Sequence, residues 1–183
     1  SLLRRPDCRT FAVDCITGCM LPRPNSDEGH VAKAALFSRF ATQFSSILGN
    51  QAEEDPLQLV DILLKGVSRV VVRGSSLLHQ DMFREAMLFL HIITFWNTTL
   101  EYGSEGDTMS ELTVTLVQTL TALIAHNDDS KVFFSETIGY DQLQELLLRP
   151  GQVSDKLFMS MYSMMFDEVA DVADSAKIQN AEC

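Results

Sequence analysis

Proline occurs only at positions 6, 22, 24, 56 and 150, and each one falls at the edge of an apolar pattern, never inside it. Proline is accepted in the first turn of a helix or just outside it, but breaks a helix interior. The five prolines therefore act as punctuation and leave long intervals free to be helical. Within those intervals the apolar residues recur every three or four positions, which is the helical period. No alternating strand pattern and no strand–helix–strand pattern emerges.

The first helical segment is expected at about 7–20, with Phe11, Cys15 and Cys19 at helical spacing and Cys8 one turn earlier. Leu21-Pro22-Arg23-Pro24-Asn25 breaks it, and Ser26 or Asp27 can cap a second helix over about 28–48. Gly49-Asn50 ends that helix, and an acidic linker leads to Asp55-Pro56, an N-cap followed by proline at the first helical position. The next helix is expected over 56–73; Val70-Val71-Val72 looks strand-like alone, but the preceding period favours helix. Residues 80–99 read as a single helix, apolar on nearly all faces and so enclosed by others. After a loop at 102–107, helices are expected at about 109–125, 131–137, 140–148 and 154–173, with residues 174–183 fraying. The total is about eight helices, all-α.

The stretch from Thr121 to Leu148 resembles an armadillo repeat. Ala122, Leu123, Ile124 and Ala125 finish a long helix; Asn127-Asp128-Asp129-Ser130-Lys131 forms a polar turn; Val132, Phe133 and Phe134 supply a short helix; Gly139 breaks the chain; Leu143, Leu146 and Leu147 begin another helix. The resemblance covers about 113–150 and implies a right-handed superhelical solenoid of three to four irregular repeats across 1–183. Armadillo proteins that grip extended peptides carry an Asn near the position of Leu123, so importin-like peptide binding is not expected. The run "KVFFSETIGYDQLQELL" also resembles the armadillo-like region of large BEACH-domain scaffolds of the kind with WD repeats and a FYVE domain. That likeness implies a cytoplasmic scaffold in membrane traffic or selective autophagy. The chain opens on Ser1 without an initiator methionine, so it is expected to be part of a longer protein.

With 14 basic against 25 acidic side chains the net charge is −11, which disfavours nucleic-acid binding. The most apolar run, Ala86 to Trp96, is too short to cross a bilayer and contains His91. Cys8, Cys15, Cys19 and Cys183 include no Cys-x-x-Cys pair, and the histidine near the first three is His30. Buried free thiols are therefore expected in preference to zinc. Asn127, Asp128 and Asp129 crowd together like calcium ligands, but the central Gly and the twelfth-position Glu of a calcium loop are missing. His79, His91 and His126 stand near no nucleophile motif. No enzyme activity, cofactor or metal is expected.

Two candidate binding features remain. Asp61, Lys65, Arg69 and Arg73 recur every fourth residue, so the three cations form one stripe of one helix. That stripe is either a solvated face with an Asp61–Lys65 pair or a strip for an acidic partner. In the last helix Phe158, Met161, Tyr162 and Met165 form an apolar stripe, suited to core packing, to a further repeat or to weak self-association of the isolated chain. The expected function is protein–protein interaction. The alternatives are a passive spacer and a helical enzyme whose residues meet only in three dimensions.

Overall fold

The computed structural model describes residues 5–21, 35, 38–40, 56–73, 76–101, 107–149 and 154–166. Among these, every regular element is helical. A short 3-10 turn at Pro6–Cys8 leads into α1 (Arg9–Met20), followed by α2 (Pro56–Arg73), α3 (Ser76–Glu85), α4 (Leu88–Glu101), α5 (Asp107–Ile124), α6 (Asp128–Thr137), α7 (Tyr140–Leu148) and α8 (Asp155–Phe166). Of the second expected helix, over 28–48, Ala35 and 38–40 are helical and the rest lies outside the described residues, as does the chain beyond 166. The chain divides into two compact units, Ser1–His91 and Ile92–Cys183, and the stretch that resembles an armadillo repeat falls in the second.

In the first unit, α1 and α3 both pack on α2. The valine run at 70–72 is helical, as the period required. Leu59, Leu63, Val67 and Val70 are buried along α2. Gly66 lies where α1 comes closest: a Cβ there would stand 2.7 Å from Val13 Cγ1 and 3.1 Å from Thr17 Cγ2. Polar links add to this contact. His79 Nε2 on α3 donates to the Met20 carbonyl at the end of α1, 2.9 Å away. Arg9, buried to 1% exposure, donates to Gln58 Oε1 at 3.4 Å. Arg69 on α2 forms an ion pair with Asp14 on α1. Phe40 meets Phe83 edge to face, with ring centroids 6.2 Å apart.

Two expectations for this unit are corrected. The helix expected over 80–99 is two helices. The chain turns at Ala86-Met87, where Met87 takes φ 58° and its N–H donates to the Arg84 carbonyl. A non-glycine residue in the left-handed region costs roughly 1 kcal/mol, so tertiary packing, not local preference, holds this break. The cysteine face of α1 is also not the buried one. Ala12, Val13, Thr17 and Met20 face inward, whereas Cys15 and Cys19 are exposed and Cys8 is half-buried. The side chains that fit beside Gly66 decide which face of α1 is covered.

In the second unit α5 is the centre, packed by α6 and most extensively by α8. Met109, Leu112, Leu116, Leu120 and Leu123 form its apolar seam, and Val117 and Ile124 widen it. Thr113, Thr115, Thr119 and Thr121 are buried too. Each hydroxyl donates to the carbonyl four residues back, at 2.8–3.2 Å, so none of these four hydroxyls is stranded.

The corner after α5 is built as its residues dictate. His126 takes φ 56° and ends the helix. Asn127 caps α6, its Oδ1 accepting from the Ser130 N–H at 2.9 Å, with Asp128 and Asp129 in the first turn where the helix dipole favours negative charge. At the far end of α6 the Phe134 carbonyl accepts from both Ile138 and Gly139. Gly139 has φ 82° and ψ 142° and begins α7.

That backbone region is nearly closed to residues with a Cβ, although space exists there: the nearest atom to an added Cβ is the Ser135 carbonyl oxygen, 3.8 Å away. Gly139→Ala should therefore destabilise the chain by about 1–3 kcal/mol through backbone strain alone. A thermal melt should show a fall of several degrees in Tm, and an unchanged Tm would contradict the strained geometry.

Candidate interaction surfaces

The basic strip lies along α2 as its spacing required, but its charges are largely answered within the fold. Lys65 Nζ is 2.6 Å from Asp61 Oδ2, the expected pair one turn away. Arg69 reaches across to Asp14 of α1, a partner 55 residues distant. Arg73 is exposed at the last residue of α2, where the helix dipole favours a cation. The strip thus presents alternating charge and ties α1 to α2.

The last helix offers a different surface. Ser154 caps α8, its Oγ accepting from the Leu157 N–H at 3.2 Å. Leu157, Ser160 and Met164 form the buried face, and the Ser160 hydroxyl donates to the Lys156 carbonyl. The expected stripe lies beside this face. Phe158 is 59% exposed, and Met161, Tyr162 and Met165 are half-buried. Met159 is also exposed. Tyr162 and Phe166 pack ring to ring, with centroids 4.4 Å apart. Aromatic rings already packed against one another lose little freedom on meeting a partner, and methionines adapt to its shape, which suits a docking face.

Asn127 spends its side-chain oxygen on the α6 cap, and Asp128 stands almost fully exposed, 3.8 Å from Lys131. Among the described residues no group of three or more His, Cys, Asp or Glu side chains converges as a metal set. His79 holds the α1–α3 junction, and His126 is exposed at the end of α5. Burial lowers the pKa of His91 below its ordinary value of 6.5, so the imidazole inside α4 tends to the neutral form. Leu123 is fully buried in the seam of α5 and presents nothing to a groove. Among the described residues no helix is long and apolar enough to cross a membrane.

Comparison with known proteins agrees with this architecture. The family model for the neurobeachin alpha-solenoid region matches residues 1–183. BEACH domain-containing protein B of Arabidopsis thaliana is 32% identical over 181 residues, covering 95% of this chain and 7% of that protein. The chain therefore spans a small part of that relative's length. No solved structure matches.

Proposed function

Because the chain belongs to the family of neurobeachin alpha-solenoid regions, we propose that it is a non-catalytic protein-binding segment of a large cytoplasmic scaffold that serves membrane traffic or selective autophagy. The observation that carries this reading is the outer stripe of α8, where Phe158, Met159 and Tyr162 stand beside the buried face in an otherwise acidic chain. An aromatic anchor flanked by methionine is what a protein partner would cover, and such residues dominate binding where they become buried. The α2 strip is the weaker surface, since Asp61 and Asp14 already engage Lys65 and Arg69.

Affinity capture from cell lysate with this chain as bait provides the test. Proteins held by the parental bait should be lost when Phe158 and Met159 are both changed to Asp, and kept when Lys65 and Arg69 are both changed to Glu. Retention with the first variant and loss with the second would transfer binding to the α2 strip. Capture no better than a blank resin would leave the passive spacer as the reading.

A further inference from the structure

The outer face of α1 carries chemistry that the proposed function does not use. Arg9, Ala12, Val13, Thr17 and Met20 are buried, and the opposite line holds Phe11, Cys15 and Cys19, with Cys8 half-buried one turn before Phe11. The outward stripe of a helix is ordinarily charged or polar. Here it carries two exposed thiols and an aromatic ring that is 65% exposed, beside the exposed Thr10, Asp14 and Gly18. The charged side chain adjacent to Cys15 is Asp14, whose carboxylate is engaged by Arg69, so the stripe lacks a free negative charge at that point. The two exposed thiols sit four residues apart, one above the other on the same side of the helix.

We infer that Cys15 and Cys19 form a paired S-acylation site for long-chain fatty acyl groups, through which α1 rests on a membrane surface. Each thiolate attacks the carbonyl carbon of a fatty acyl thioester. A carbon–sulfur bond to the cysteine forms and the bond to the donor's sulfur breaks. The donor leaves as a thiolate and takes up the proton that the cysteine gave up, so no oxidant or reductant is needed.

The pairing follows from membrane energetics. A single acyl chain gives marginal, reversible binding, and stable anchoring needs a second signal. A polybasic patch often supplies it, but a chain of net charge −11 is repelled by anionic headgroups. A second acyl chain beside the first meets the requirement. Phe11, one turn away, can enter the same interface, while the other face of α1 stays packed on α2. A soft-metal site is the weaker use of the pair, because a structural zinc needs four ligands and no third metal-capable side chain joins the two among the described residues.

The test is metabolic labelling of the full chain in cultured eukaryotic cells with an alkynyl palmitate analogue. The chain should take up label that neutral hydroxylamine releases. Cys15→Ser and Cys19→Ser should each remove part of the label, the double substitution should abolish it, and Cys8→Ser should leave most of it. Loss of either chain should lower the membrane-pelleted fraction at least about tenfold, as expected when two anchors become one. Both thiols are exposed, so the double variant should keep the parental far-UV spectrum, which separates loss of acylation from loss of folding. A parental chain without hydroxylamine-labile label, or label that survives the double substitution, overturns the inference. An unacylated chain that still captures a partner through α8 overturns it alone and leaves the proposed function standing.

Discussion

Gly66→Leu should be the most damaging single substitution in the first unit, costing about 3 kcal/mol or more. The added Cβ alone would lie 2.7 Å from Val13 Cγ1 and 3.1 Å from Thr17 Cγ2, closer than packed carbons approach. Both neighbours are β-branched and stiff at χ1, so neither can swing aside cheaply. The remaining adjustment is for α1 to lift from α2. That motion strains the Arg9–Gln58 bond, the Asp14–Arg69 ion pair and the bond from His79 to the Met20 carbonyl. Gly66→Ala divides the two effects. It gains about 1 kcal/mol of helix propensity and loses about 1–3 kcal/mol to crowding, so a net loss is expected. Urea unfolding followed by far-UV circular dichroism measures both variants. A leucine variant with the parental midpoint would mean that the close approach at Gly66 is not a feature of the folded chain.

What the sequence revealed, and what it hid, depends on how far apart the deciding atoms lie. The corner from Asn127 to Gly139 was legible because its determinants are local: a cap that bonds three residues ahead, and a glycine whose backbone region suits little else. The face of α1 was not legible. That helix has apolar residues on two sides, and the choice between them is made by Gly66 and His79, far along the chain. The break at Met87 has no glycine or proline to announce it.

The candidate surfaces divide in the same way. Spacing placed Lys65, Arg69 and Arg73 on one stripe, but the Asp14 partner is 55 residues from Arg69 and could not be seen by counting turns. In α8 the apolar count pointed to Phe158, Met161, Tyr162 and Met165. The buried line runs beside that stripe, through Leu157, Ser160 and Met164. A serine disguised it, because its hydroxyl bonds back to the carbonyl of Lys156 and so can be buried without penalty. The threonines of α5 hide their burial by the same means. Binary patterning undercounts a core wherever Ser and Thr satisfy themselves within the helix.

Val132, Phe133 and Phe134 pose the same problem in its sharpest form, since three consecutive apolar residues cannot all face inward on one helix. The structure separates them: Val132 is exposed, Phe133 half-buried, and Phe134 has no exposed surface. The Phe134 ring lies 5.2 Å, centroid to centroid, from that of Tyr140, the first residue of α7. Its backbone carbonyl accepts from both Ile138 and Gly139 and so closes α6. One residue thus fills the core beneath the corner and terminates the helix that makes it. Phe134→Ala should cost about 3–5 kcal/mol, the range for emptying a buried aromatic site. Val132→Ala should stay within about 0.5 kcal/mol of the parental chain, as surface changes do, and Phe133→Ala should fall between. Trp96, the sole tryptophan, is fully buried in the same unit, so its emission reports the unfolding directly. With a urea slope of about 2 kcal/mol/M, the Phe134 variant should unfold at a midpoint lower by about 2 M. Equal shifts for Phe133 and Phe134 would mean that α6 is rotated from the position described, and the corner would then have to be held by Gly139 and the Asn127 cap without a buried ring beneath them.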